Sequence, residues 1–87
     1  MASYKVEWKR AAVKELRALP TEAIERILKA VEQLAMNPYP VGVRKLVGAE
    51  HNYRIREGNY RVIYTVTAAT LVIEVIRVGH RKDIYDR

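Results

Sequence analysis

Tyr53-Arg54-Ile55-Arg56-Glu57-Gly58-Asn59-Tyr60-Arg61-Val62-Ile63-Tyr64 reads as a β-hairpin. Two runs rich in β-branched and aromatic residues flank Gly58-Asn59, a pair suited to the positive φ angles of a two-residue hairpin turn. With Gly58 and Asn59 as the loop, Glu57 faces Tyr60, Arg56 faces Arg61, Ile55 faces Val62, Arg54 faces Ile63 and Tyr53 faces Tyr64. Side chains alternate between the two faces of a sheet. Tyr53, Ile55, Glu57, Val62 and Tyr64 therefore share one face, which packs, and Arg54, Arg56 and Arg61 share the other. Like charges directly opposite on a sheet cost about 0.2–1 kcal/mol. Two readings account for that cost: the arginines discourage edge pairing on a solvated face, or they converge on an anion.

Before the hairpin, Tyr4, Val6 and Trp8 alternate with Lys5 and Glu7, which predicts a short half-buried strand. From Lys9 to Leu19, Ala12, Val13, Leu16 and Leu19 follow helical spacing, and Pro20 ends the segment. Thr21 has the character of an N-cap, with Glu22 and Glu25 in the first turn. Ile24, Ile27, Leu28, Val31, Leu34 and Ala35 then form an apolar stripe that predicts a helix to about Met36. Asn37-Pro38-Tyr39-Pro40 stops it. The tight Leu19-Pro20 corner predicts a helical hairpin across one sheet face.

Val43 to Leu46 fits a short strand before the hairpin. Beyond it, a turn near Ala68-Ala69-Thr70 leads into Leu71 to Val78, apolar at nearly every position, as an inner strand is. Residues 80–87 read as a polar tail with up to one helical turn. The order strand, two-helix hairpin, then a mostly antiparallel three- to four-stranded sheet defines a single α+β domain over residues 1–87.

Composition narrows the chemistry. The 87 residues contain no cysteine, which excludes a disulfide framework, a thiolate metal site and a cysteine nucleophile. No apolar run is long enough for a signal peptide or a bilayer crossing, so no membrane partner and a cytoplasmic location are expected. The net charge is +6. Residues 1–40 carry seven basic and five acidic side chains and residues 41–87 nine and five, so the anion-attracting excess lies mainly in the second half.

His51 and His80 are the only histidines and sit in no metal-ligand spacing, and the four glycines are scattered as turn residues rather than gathered in a phosphate loop. No metal or cofactor is predicted. What remains is a phosphate site, since guanidinium forks bind phosphate in pairs and stabilise charge that builds up on it. Counting by twos from Val72 through Glu74, Ile76 and Val78 carries His80 to one face, which a turn at Ala68-Ala69 would make the arginine face. Arg81 would follow beside the hairpin arginines, with Tyr85 at the edge. His80 also fits a turn or cap residue, and Tyr85 a ring docked on the core edge.

The run Tyr53-x-Ile55-Arg56-x-Gly58-x-Tyr60-Arg61-Val62-x-Tyr64, with Val75-x-x-Val78-Gly79-His80-Arg81-Lys82-Asp83-x-Tyr85, closely resembles the RelE toxins of toxin–antitoxin modules. The likeness extends over the front half, through the Leu19-Pro20 corner, the Asn37-Pro38 stop and Lys45-Leu46-x-Gly48. It implies the RelE-like microbial ribonuclease fold. It further implies a ribosome-dependent mRNA endonuclease, in which a 2′-hydroxyl attacks the adjacent phosphate in the ribosomal A site without metal. By matching position, Arg61 would hold the scissile phosphate, Arg81 serve the leaving oxygen and Tyr85 orient a base.

Arg54 and Arg56 stand where such proteins carry basic residues that favour the ionised hydroxyl. Arginine essentially never deprotonates, which leaves His80 as the histidine able to exchange a proton. A Glu57/His80 pair ranks lower, because Glu57 falls on the packing face. The implied partners are a RelB-like antitoxin, the ribosome with its mRNA and, through the antitoxin, operator DNA. A ParE-like toxin that inhibits DNA gyrase without nuclease activity, and an inactive module that only sequesters an antitoxin, are the alternatives.

Overall fold

The computed structural model of the chain describes residues 3–46 and 52–80. The elements are β1 (Lys5–Trp8), α1 (Arg10–Arg17), α2 (Thr21–Met36), β2 (Arg44–Lys45), β3 (Asn52–Glu57), β4 (Tyr60–Thr67) and β5 (Val72–His80). They build one five-stranded sheet in the order β1-β5-β4-β3-β2. Strands β2 to β5 are antiparallel, as expected for the second half. The first strand adds a fifth member by pairing parallel to β5.

Both helices lie on one face. Ala12 and Leu16 of α1 and Ile27, Val31 and Leu34 of α2 enter a core with Ile55, Val62, Tyr64, Val66, Ile73, Val75 and Val78 from the sheet. The buried line along α2 is Ala23, Ile27, Val31 and Leu34, narrower than the predicted stripe, and Leu28 is exposed. Thr21 is the first helical residue rather than the cap. Pro20 holds the cap position, and its carbonyl accepts the Ile24 N–H at 3.0 Å.

The hairpin register is the predicted one from Tyr53↔Tyr64 to Glu57↔Tyr60. Of the turn pair, Gly58 has a positive φ of 60° and Asn59 does not, so the turn has the single left-handed position of a II′ hairpin rather than the two of I′. Tyr64, fully buried, donates its hydroxyl to the Pro38 carbonyl at 2.6 Å. Its ring lies 6.0 Å from that of Tyr53, which meets Tyr39 edge-on at 5.2 Å. These contacts tie the loop after α2 to the sheet.

Between β4 and β5 the ladder is interrupted. Tyr64 pairs with Val75 but Ile63 pairs with Arg77, leaving Ile76 as the extra residue of a β-bulge. On α1, Glu15 reaches this point. Its carboxylate accepts the Val78 N–H at 3.0 Å and the Arg77 guanidinium at 2.9 Å.

Candidate functional site

Because the register is fixed, the second face of the sheet can be assembled strand by strand. Arg56 pairs with Arg61 across β3 and β4, and Arg54 pairs with Arg44 across β3 and β2. Directly paired residues project to the same side, so four arginines share the face away from the helices. Arg44 is the member that sequence reading missed. Val43 to Leu46 was legible as a strand, but its register against β3 depends on the connection through residues 47–51, which no local pattern fixes.

This face is not simply solvated. Leu46, Ile63 and Ile76 form a second, smaller apolar cluster on it, and Arg54, opposite Ile63, is only 7% exposed. The Nε atoms of Arg54 and Arg61 are both shielded from solvent. Burial first, and then the nearby Arg61, Arg56 and Arg44 charges, push the Arg54 guanidinium below its ordinary range. Arginine stays protonated even so. Arg54 is thus a cation held in a positive, partly dehydrated surrounding, where an anion is attracted far more strongly than at an open surface.

The arginines open onto a groove of about 780 Å³ along the outer edge of β3. The two-residue β2 covers only Tyr53 and Arg54 of that edge, leaving Ile55 to Glu57 free to line the groove. Arg44, Arg54, Arg56 and Arg61 form one side, and Ala30, Gln33 and Leu34 of α2, its C-cap Asn37, and Pro40 to Gly42 form the other. A phosphodiester, whose non-bridging oxygens accept hydrogen bonds from planar guanidinium forks and side-chain amides, is the ligand class such a lining suits.

His80 does not join this group. The count by twos holds through Ile76, which packs with Ile63 on the arginine face, but the bulge inserts one residue and reverses the alternation. His80 consequently pairs with Tyr60, and the two rings meet edge-on at 5.7 Å. Tyr60 packs against the helix-side core. The expectation that His80 stands beside the hairpin arginines is therefore corrected. Glu57 and His80 share the Tyr60 face but flank Tyr60 on either side, two strand spacings or about 10 Å apart, so they are not a contacting pair. Arg81 and Tyr85 lie outside the described residues.

Residues 6–85 match the family model described as ParE toxin of type II toxin-antitoxin system, parDE. The chain belongs to the RelE/ParE family of type II toxins. Within that family it is similar to toxin RelE3 of Methanocaldococcus jannaschii, 35% identical over 86 residues that span 94% of this chain and 96% of that one. The RelE of the archaeal RelE–RelB complex from Pyrococcus horikoshii superposes with a TM-score of 0.82 at 33% identity, covering 94% and 99% of the two chains. The Escherichia coli RelBE toxin–antitoxin complex gives 0.78 at 30% identity, with 90% and 96% covered. This RelE-like toxin shares with them its fold of two helices on a five-stranded sheet. Among the described residues no helix is long and apolar enough to cross a membrane.

Proposed function

We propose that this RelE-family toxin is a ribosome-dependent mRNA endonuclease that cuts the message in the ribosomal A site. The observation that carries the reading is Arg54, a nearly buried cation with Arg44, Arg56 and Arg61 on the same sheet face around one groove. A phosphodiester seated there meets several guanidinium donors gathered around one groove. The 2′-hydroxyl of the preceding ribose loses its proton and attacks phosphorus, the P–O5′ bond breaks, and the 5′-oxygen takes up a proton. The products are a 2′,3′-cyclic phosphate and a 5′-hydroxyl end.

In this reading Arg61 binds the non-bridging oxygens as they gain charge, and Arg54 and Arg56 stabilise the 2′-alkoxide electrostatically. Arg81 serves the leaving oxygen, and Tyr85 orients a base. His80 acts less directly. Its ring contact with Tyr60 on the other face supports a role in seating the hairpin end rather than in taking the proton. A RelB-like antitoxin is the neutralising partner, since the P. horikoshii and E. coli relatives are seen as complexes with RelB, and any operator DNA contact runs through that antitoxin.

Toeprinting on translating ribosomes tests the assignment. Arg61→Ala and Arg81→Ala are each expected to lose A-site cleavage by about 10² or more. Unchanged cleavage in both removes the site. The matched family model carries the ParE name, so gyrase inhibition is the competing reading. A supercoiling assay in which stoichiometric toxin blocks gyrase, with ribosomal cleavage absent, would favour it.

A further inference from the structure

We propose that Glu15 is a positioning residue for the arginine groove, acting by splinting the β5 bulge so that Gly79 stays opposite Arg61. The functional half of this proposal rests on the endonuclease reading, and the register half does not. A bulge is where a ladder can slide, because the extra residue has no partner to fix its place. Here α1 is fastened on both sides of it. The Lys9 N–H, just before α1, donates to the Val75 carbonyl at 3.0 Å, and Glu15 accepts the Val78 N–H at 3.0 Å from the other side.

The register held in this way matters to the site. Gly79 pairs with Arg61 and has no side chain, so β5 adds no bulk beside the Arg61 guanidinium. A slip of one residue would put Val78 or His80 opposite Arg61 and would pull His80 away from the Tyr60 ring. Glu15 makes two contacts of unequal weight. The ion pair with Arg77 is half exposed, with side chains 52% and 30% accessible, and such pairs contribute little. The bond to Val78 N–H is part-buried and joins segments 63 residues apart. The acceptor oxygen, rather than the charge, is the part that positions.

That division sets the test. Glu15→Ala, Glu15→Gln and Arg77→Ala are compared with the wild type, and with Arg61→Ala as the site control, by amide exchange at Val78, by the Tyr60–His80 ring contact in NMR spectra, and by toeprinting. Glu15→Ala is expected to lose Val78 protection and the ring contact by about tenfold or more. Its cleavage rate should fall about tenfold while half-saturation by ribosomes stays within about twofold. Glu15→Gln, which keeps an acceptor oxygen, and Arg77→Ala should both remain within about threefold of the wild type.

Glu15→Asp, one methylene short, substitutes if the alanine variant does not fold. Wild-type Val78 protection and cleavage in Glu15→Ala overturns the proposal, as does a glutamine variant no better than alanine. If the wild type fails to cleave, the endonuclease reading falls; if Arg61→Ala cleaves normally, the role of Arg61 in the site falls. Exchange and the ring contact still decide whether Glu15 holds the register.

Discussion

Replacing Arg54 by methionine should make the protein more stable and its groove less effective. Arg54 is 7% exposed, lies directly opposite Arg44, and has Arg56 and Arg61 close on the same face. The direct like-charge pair costs about 0.2–1 kcal/mol, and the two further cations add a comparable amount, for about 1–2 kcal/mol in all. Methionine keeps an unbranched stem of similar length against Ile63 and removes the buried charge. It also forfeits the hydrogen bonding of the guanidinium, worth about 1 kcal/mol net per bond. The balance is a gain of up to about 1 kcal/mol, which in a domain of this size raises Tm by up to roughly 8 °C.

Urea and thermal unfolding of the two proteins measure the difference, with an unchanged m-value confirming that the folded state is what changed. Added sulfate should narrow the gap by stabilising the wild type alone through binding at the arginines, while A-site cleavage falls by about 10² or more. A loss of more than about 1 kcal/mol in Arg54→Met would refute the reasoning, because it would mean that the arginine is held by compensating bonds rather than under repulsion.

Tyr64→Phe should cost about 1–2 kcal/mol in the same unfolding measurements, since the Pro38 carbonyl loses its 2.6 Å donor inside the core. Burial first, then Tyr39 and Tyr53, hold the Tyr64 hydroxyl protonated well above its ordinary range. Tyr39 is shifted the same way, by burial first and then by Tyr53 and Tyr4. The folded state therefore binds more protons than the unfolded one above about pH 10, so stability is whole below that pH and falls as pH rises further, by at most about 1.4 kcal/mol per pH unit for each tyrosine. A pH series of urea midpoints should show the fall, and Tyr64→Phe should flatten it. Gly58→Ala should lose about 1 kcal/mol, from the 60° φ rather than a clash, because the new Cβ would sit at an ordinary 3.5 Å from the Arg26 Nη1. Gly58→Asn should lose less.

The hairpin was legible to the residue. Strict alternation and the Gly58-Asn59 turn leave one register that buries Ile55, Val62 and Tyr64 together, and the structure adopts it. The helices were legible because their stripes repeat at helical spacing, although Thr21 was read one position out: Pro20, which cannot cap through a side chain, takes the place. Pairings between distant segments were less accessible. The parallel docking of β1 on β5 and the register that sets Arg44 against Arg54 rest on contacts far apart in sequence. No local propensity encodes them.

The misplacement of His80 has a more specific origin. Parity is a running count, and one inserted residue inverts everything after it. The sequence offers no turn residue at Ile76 to mark the insertion. The bulge is stabilised from outside the strand, by a carboxylate on α1 that satisfies the Val78 N–H. Arg54 is a second departure from local rules, a cation buried among cations. Local rules are most often broken where a protein trades stability for a working site. Here the two departures adjoin, since the strand whose register Glu15 holds is the one that brings Gly79 opposite Arg61. A strand without the bulge would have kept a regular ladder and carried His80 onto the arginine face. The bulged strand instead sets Gly79, which has no side chain, opposite Arg61 and turns His80 to the Tyr60 face.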